Sequence, residues 1–220
     1  KQLHAAGKQV VFVNCSGSAM GLVPETESCR AILQAWYPGQ AAGVAVADVL
    51  FGDYNPAGRL PITFYKNVDQ LPDFEDYNMK GRTYRYFKGE ALFPFGHGLS
   101  YTTFTYGQAK LAKAVVKAGN SVELTIPVTN TGKYDGEEVI QVYLNRPADV
   151  EGPSKTLRAF QRVFLKAGQK QDVKIQLNPD ELVWFDTNSN TMRCIPGEYK
   201  LLYGGTSDST KLHTVSFRMN

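Results

Sequence analysis

The 220-residue chain is short of most residues that build reactive centres: it has three cysteines and three histidines. Cys15, Cys29 and Cys194 match no zinc or redox spacing, and an odd number leaves at least one thiol unpaired. Cys15 follows one predicted strand and Cys29 precedes another, so a disulfide between them is open if those strands are neighbours; buried free thiols are the simpler reading. No second histidine or cysteine stands at ligand distance from His4, His97 or His213, which argues against a zinc site, and no cofactor motif is present. Charge of one sign is scarce as well. With 24 basic and 21 acidic residues the net charge is +3, too little for a nucleic-acid footprint. Long apolar runs are absent too: the longest, Ala41 to Phe51, is broken by Gly43 and Asp48 and falls short of the roughly 20 residues a membrane span needs. The first residue is Lys1, inside what reads as the tail of a helix, so a piece of a longer chain is expected.

What is present divides into two textures. Val10 to Val13 reads as a buried strand running into the turn-rich Asn14-Cys15-Ser16-Gly17-Ser18, and Ala31 to Trp36 as a second apolar run. Asn14-Cys15-Ser16 also matches a glycosylation sequon, a pattern too short to carry weight. Gln40 to Phe51 is apolar nearly all round, which predicts a buried helix with Gly52 as its cap. Arg59 to Tyr65 returns to strand character. Residues 1–65 therefore read as the end of an α/β layer structure.

From 66 to 100 periodicity disappears, yet Phe74, Tyr77, Tyr84, Tyr86, Phe87, Phe93 and Phe95 make the stretch too aromatic for a disordered linker. An ordered, irregular connection is expected, one that glues domains together or lines a pocket. Residues 101–220 read as all β. Val122, Leu124, Ile126 and Val128 alternate with polar neighbours; so do Ile140, Val142 and Leu144, then Val173, Ile175 and Leu177, with later runs at Tyr199 to Tyr203 and Val215 to Met219. Pro127 cannot donate to a ladder and predicts an edge or a bulge. About seven short strands in roughly 115 residues suit an immunoglobulin- or fibronectin-like sandwich.

Carboxylates come first among candidate reactive groups, because pairs of them carry general acid and nucleophile roles. Glu25 and Glu27, and Asp73, Glu75 and Asp76, lie in turn-rich segments and read as solvated surface. Asp48 and Asp53 stand in apolar, glycine-rich sequence, which predicts burial and pairing with Arg59, Arg82 or Arg85. His97, between Gly96 and Gly98, reads as a structural histidine ahead of a functional one. Ser16-Gly17-Ser18 lacks the pattern of a nucleophile elbow or a phosphate loop.

Four ordered signatures carry a family resemblance. Ala35-Trp36-Tyr37-Pro38-Gly39-Gln40 with Ala47 to Thr63 resembles the second-domain signature of glycoside hydrolase family 3. Gly81 to Tyr86 and Phe93 to Thr102 resemble the connection that leads into that family's fibronectin-like domain. Gly136 to Tyr143 and Leu157 to Val163 resemble the sandwich itself. The resemblance spans essentially the whole chain, and with it the aromatics of the connection are expected to stack on a sugar face or to pack between domains, packing being favoured. It implies an α/β sandwich-domain fragment followed by a fibronectin type III-like sandwich, in a secreted or periplasmic, retaining exo-acting β-glycosidase. It also implies that the nucleophilic aspartate belongs to an N-terminal barrel domain and the acid/base glutamate to sequence upstream of Lys1. No catalytic residue is then expected in this chain, no substrate-binding residue is singled out, and the chain alone is expected to be inactive. The partner implied is the N-terminal barrel of the same protein, with an oligosaccharide bound only by the complete enzyme; otherwise the incomplete α/β half is expected to self-associate. Gly81 to Tyr86 and the Val11 to Ala19 loop resemble xylose-releasing members most, with β-glucosidases as the alternative. The rival class is a non-catalytic carbohydrate-binding or adhesion module.

Overall fold

A computed structural model describes all 220 residues. A short helix, α1 (Gln2–Ala5), precedes strand β1 (Val11–Asn14); helix α2 (Val23–Ser28) then leads to β2 (Ala31–Gln34). β1 and β2 pair in parallel, Val11 opposite Ala31 and Asn14 opposite Gln34. The predicted neighbours are therefore real, but their parallel sense settles the cysteines. Cys15 leaves the far end of β1 while Cys29 enters the near end of β2, six residues apart in this register and so on the order of 20 Å along the strand direction at ~3.3 Å per residue. A disulfide needs Cα atoms within ~7 Å, and all three cysteines are free thiols.

Helix α3 (Ala42–Phe51) ends where expected: Gly52 adopts φ 87° and its N–H bonds the Asp48 carbonyl. Its burial differs from expectation. No residue of α3 is buried, and Val44, Leu50 and Phe51 are exposed. Its composition asks for cover on most sides, and no other element of this chain supplies it. The strand expected over Arg59 to Tyr65 also fails to form. Pro61 removes a donor from that run, and the segment instead makes paired bonds at two points, Phe64 with Phe93 (2.9 and 3.2 Å) and Leu60 with Gly96 and His97 (2.7 and 2.8 Å). The connection contains two further helical turns, a 3-10 turn at Val68–Gln70 and α4 (Thr83–Tyr86).

The remaining strands form the sandwich: β3 (Phe104–Tyr106), β4 (Lys110–Leu111), β5 (Val115–Val116), β6 (Val122–Asn130), β7 (Gly136–Asn145), β8 (Thr156–Leu165), β9 (Lys170–Leu177), β10 (Trp184–Asp186), β11 (Thr191–Arg193), β12 (Gly197–Gly204) and β13 (His213–Met219). One sheet runs β5-β13-β12-β7-β8; in the other, β6 pairs with β9 on one side and with β3 and β4 on the other, and β10 and β11 make a separate hairpin. The core of 21 buried residues runs from Ala109 to Met219 and includes Leu124, Ile126, Ile140, Leu144, Tyr199, Tyr203 and Phe217. Each alternating run of the sequence supplies its inward face.

Pro127 is neither on an edge strand nor at a bulge in β6, which runs unbroken against β9. The break falls on the opposite neighbour. β3 and β4 stop on either side of Gly107, whose N–H bonds the Pro127 carbonyl at 2.8 Å. The missing donor is thus matched by a gap. β8 had no alternating signature because Phe160 and Phe164 on its outer face are exposed while Val163 and Leu165 are buried. No helix is long and apolar enough to cross a membrane.

Leu124 has no exposed surface, so Leu124→Ala should lower the unfolding free energy by ~2–5 kcal/mol in urea denaturation, whereas Phe160→Ala on the outer face should change it little.

Candidate functional site

The signature segments converge on β7, which is buried on both faces through Gln141, Val142, Tyr143 and Leu144. Val142 and Leu144 face the sandwich core, while Gln141 and Tyr143 face the connection. Gln141 Nε2 donates to the carbonyls of Gly96 (3.2 Å) and Gly205 (2.8 Å), and its Oε1 accepts from the Tyr143 hydroxyl (2.5 Å). Gly96 has no substitute here. Its φ is 76°, and a Cβ would stand 2.0 Å from Gln141 Oε1. Phe95 stacks on Tyr84 with centroids 4.3 Å apart, and Tyr84 meets Tyr143 edge-on at 5.8 Å. The Tyr84 hydroxyl accepts from the Leu157 N–H at 3.0 Å. The aromatics nearest the sandwich therefore pack between the halves, as favoured from the sequence; Phe74 and Tyr77 remain exposed.

Arg59 crosses the same seam. Its Nη2 lies 3.0 Å from Glu138 Oε2, with 9% and 5% of the two side chains exposed. Tyr106 on β3 donates to the other carboxylate oxygen at 3.0 Å. Burial raises the Glu138 pKa, and the Arg59 charge and the Tyr106 hydrogen bond pull it back down. Burial also lifts the Tyr106 phenol well above its ordinary value, with the Glu138 charge adding to the effect. Arg59 Nη1 donates to the carbonyls of Ala57 and Gly58 at 3.2 and 3.1 Å, while its buried Nε has no partner.

These partners correct the expectation for Asp48 and Asp53. Neither forms an ion pair; Asp53 is exposed and Asp48 half-buried, because α3 is uncovered on this chain and both carboxylates keep access to water. Arg82 donates to the carbonyls of Asn78 (3.2 Å), Asp73 (3.1 Å) and Asp76 (2.5 Å). Arg85 is exposed, and its carbonyl accepts from the Ser154 N–H and hydroxyl at 2.8 and 2.9 Å. Asp73 and Asp76 close local turns by accepting from the N–H groups of Glu75 and Asn78, each at 2.9 Å. That bond from Asn78 is the main reason the Asp76 carboxyl titrates below its usual range. Glu25 is half-buried and Glu27 exposed, and neither has an ion-pair partner.

His97 stacks on Phe93 at 5.2 Å, as a structural residue would. Burial depresses its pKa, with the Lys211 and Arg59 charges acting the same way and Asp208 opposing. Ser16 is tied into a small amide cluster: its Oγ accepts from Asn14 Nδ2 (3.0 Å) and Gln34 Nε2 (3.3 Å) and donates to the Ser18 carbonyl (3.0 Å). Asn14 is buried and donates to Gln34 Oε1 at 2.6 Å, which removes it as a glycosylation site in the folded chain. His213 stacks on Tyr203 at 5.3 Å. No group of three or more His, Cys, Asp or Glu side chains is placed to hold a metal ion.

Glu138 and Gln141 went unremarked as individual residues within Gly136 to Tyr143. A signal existed: Glu138 shares the inward phase of Ile140, Val142 and Leu144, where an acid needs a buried cation.

This architecture, an α/β end-piece strapped to a two-sheet sandwich, matches known domains. The glycosyl hydrolase family 3 C-terminal domain matches residues 1–101, and a fibronectin type III-like domain matches residues 138–207. The chain thus carries the C-terminal domain of glycoside hydrolase family 3 followed by a fibronectin type III-like domain. It is 59% identical over 207 residues to a xylan 1,4-beta-xylosidase of Xylanibacter ruminicola, covering 94% of this chain and 24% of the relative. It is 36% identical to a periplasmic beta-glucosidase of Salmonella typhimurium, covering 99% of this chain and 30% of the relative. Among solved structures, a β-glucosidase from Erythrobacter marinus superposes with a TM-score of 0.86 at 35% identity, over 99% of this chain and 29% of that one. The chain thus spans about a quarter to a third of the proteins it matches.

Two outcomes follow from the seam. Arg59→Ala leaves Glu138 buried and unpaired and should cost ~3–5 kcal/mol in chemical denaturation; adding Glu138→Gln should recover much of that loss. For His97, the unfolded chain takes up a proton near the ordinary value of about 6.5 while the folded chain resists it. Its contribution to stability is therefore complete above about pH 6.5 and is lost as pH falls through the depressed folded value. Urea midpoints measured across acid pH should fall less steeply for His97→Gln than for the wild type.

Proposed function

We propose that this chain is the non-catalytic C-terminal portion of a retaining, exo-acting β-glycosidase that removes β-linked xylose from the non-reducing ends of oligosaccharides. The observation that carries the reading is the 59% identity to a xylan 1,4-beta-xylosidase over 94% of the chain, against 36% to a beta-glucosidase. Retaining hydrolysis needs two carboxyl groups about 5 Å apart across one sugar ring. The acids singled out from the sequence are solvated, hold local turns or lie apart, and the most buried, Glu138, is engaged by Arg59 and Tyr106. On this reading both catalytic carboxylates come from the remainder of the protein, and residues 1–65, 66–100 and 101–220 serve as α/β end-piece, connection and sandwich. The exposed apolar side chains Val11, Val44 and Leu50 support a surface covered by that remainder. Separated from it, the chain self-associates. A periplasmic relative supports an exported protein.

The test compares this chain with the complete protein on aryl β-xylosides and β-glucosides, alongside light scattering. The chain alone should show no turnover and a mass above that of a monomer. The complete protein should hydrolyse xylosides with kcat/KM at least about tenfold above glucosides, a ~1.4 kcal/mol difference in transition-state binding. Turnover by the chain alone would overturn the assignment, and a preference for glucosides would replace xylose with glucose.

A further inference from the structure

The loop between β12 and β13, residues 205–212, is tied to the rest of the chain at three points. The Gly205 carbonyl accepts from Gln141, the Ser207 N–H donates to the Phe95 carbonyl at 2.9 Å, and Lys155 Nζ donates to Ser209 Oγ at 2.8 Å. The first two ties engage backbone groups. The third joins two side chains of very different exposure: Lys155 keeps only 8% of its surface, while Ser209 is exposed. Lys155 enters none of the ion pairs, and the serine hydroxyl is the one acceptor that its Nζ finds.

An ammonium has three donors, and burying it with a single neutral acceptor is costly. Losing a proton relieves that cost. Burial accordingly depresses the Lys155 pKa, with the Asp208 charge opposing. Asp208 makes no contact with the amine because it is engaged within its own loop. Its Oδ1 accepts from the Thr210 N–H (3.0 Å) and hydroxyl (2.7 Å), and its Oδ2 lies 3.8 Å from Lys211 Nζ.

A neutral amine reverses the polarity of the Lys155–Ser209 bond. The hydroxyl then donates to the Nζ lone pair, which is the relation of a nucleophile to its general base. The Ser209 N–H donates to no atom of the chain and is free to meet an oxyanion formed at its own side chain. Approach comes from the serine side, and no large apolar side chain is exposed on this loop, in contrast to α3. We propose that Lys155 and Ser209 form a base–nucleophile pair that transfers an acyl group from a small ester onto Ser209. The neutral Lys155 amine takes the hydroxyl proton as Oγ bonds to the carbonyl carbon, and the carbonyl electron pair moves to the oxygen beside the Ser209 N–H. Collapse breaks the ester C–O bond, and the departing alcohol oxygen takes the proton back from Lys155. The products are acyl-Ser209 and the free alcohol, with the amine regenerated. Glycoside hydrolysis uses neither residue, so this chemistry does not rest on the glycosidase reading.

The test treats the complete protein with 4-nitrophenyl acetate and maps acetyl groups by peptide mass spectrometry. Wild type should carry an acetyl group on Ser209, formed together with nitrophenolate. Lys155→Met, which keeps an apolar stem without the base, should slow acetylation of Ser209 about a hundredfold or more. Lys155→Arg, which still donates to a hydroxyl but does not give up its proton, should slow it as much. Thermal midpoints show that each variant is folded, and either one alone decides the matter if the other fails to fold. An unmodified Ser209 in the wild type would overturn the proposal, and so would an acetyl group on Lys155 in its place. Undiminished acetylation of Ser209 in a folded Lys155 variant would do the same and reduce the contact to a structural tie. Hydrolysis of aryl xylosides by the same wild-type sample reports separately on the proposed function: its absence would reject that reading and leave the acetylation result standing.

Discussion

A guanidinium and a carboxylate that each need the other hold the two halves in one arrangement. Arg59 belongs to a segment with almost no regular structure, and Glu138 sits on the inward phase of a strand where an acid has no business alone. Either charge buried by itself would be severely penalised; together, with Tyr106 on the second carboxylate oxygen, they are tolerated. Such a pair contributes less to net stability than to register, since only one placement of the connection brings Arg59 to the mouth of the sandwich. Gln141 and Gly96 repeat the logic with neutral groups: a glycine without a side chain lets a buried amide reach two backbone carbonyls.

β7 is the element on which both solutions depend. It is an inner strand of its sheet, pairing with β12 and with the edge strand β8, and buried on both faces because the connection lies over the side a free-standing sandwich would leave wet. The fibronectin-like domain and the connection therefore share one strand, and the irregular segment behaves as an outer layer of the sandwich. This accounts for the aromatic content of residues 93–97, which meet Tyr143 and the β12–β13 loop, and for the contrast with Phe74 and Tyr77 farther along.

Local patterns showed much of this in the sequence. Alternation at Val122 to Val128, Ile140 to Leu144, Val173 to Leu177 and Tyr199 to Tyr203 marks strands because each buries one face, and Gly52 marks a helix end because φ near 87° suits only glycine well. Long-range facts left weaker traces. The parallel sense of β1 and β2, which separates Cys15 from Cys29, is not written in either strand. The gap opposite Pro127 lies in a different strand from the proline. Arg59 was legible as a residue in need of a carboxylate, yet its partner lies 79 positions downstream.

The stretch between Phe64 and Phe93 is a lobe closed at its neck by two backbone hydrogen bonds and carrying Phe74, Tyr77 and Met79 uncovered at its far side. A protease cutting the lobe there would leave the neck, the Arg59 pair and the Tyr84–Phe95 stack untouched. The severed pieces would still comigrate under native conditions and part only in denaturant, so one clean band on a native gel would not prove that the polypeptide is continuous.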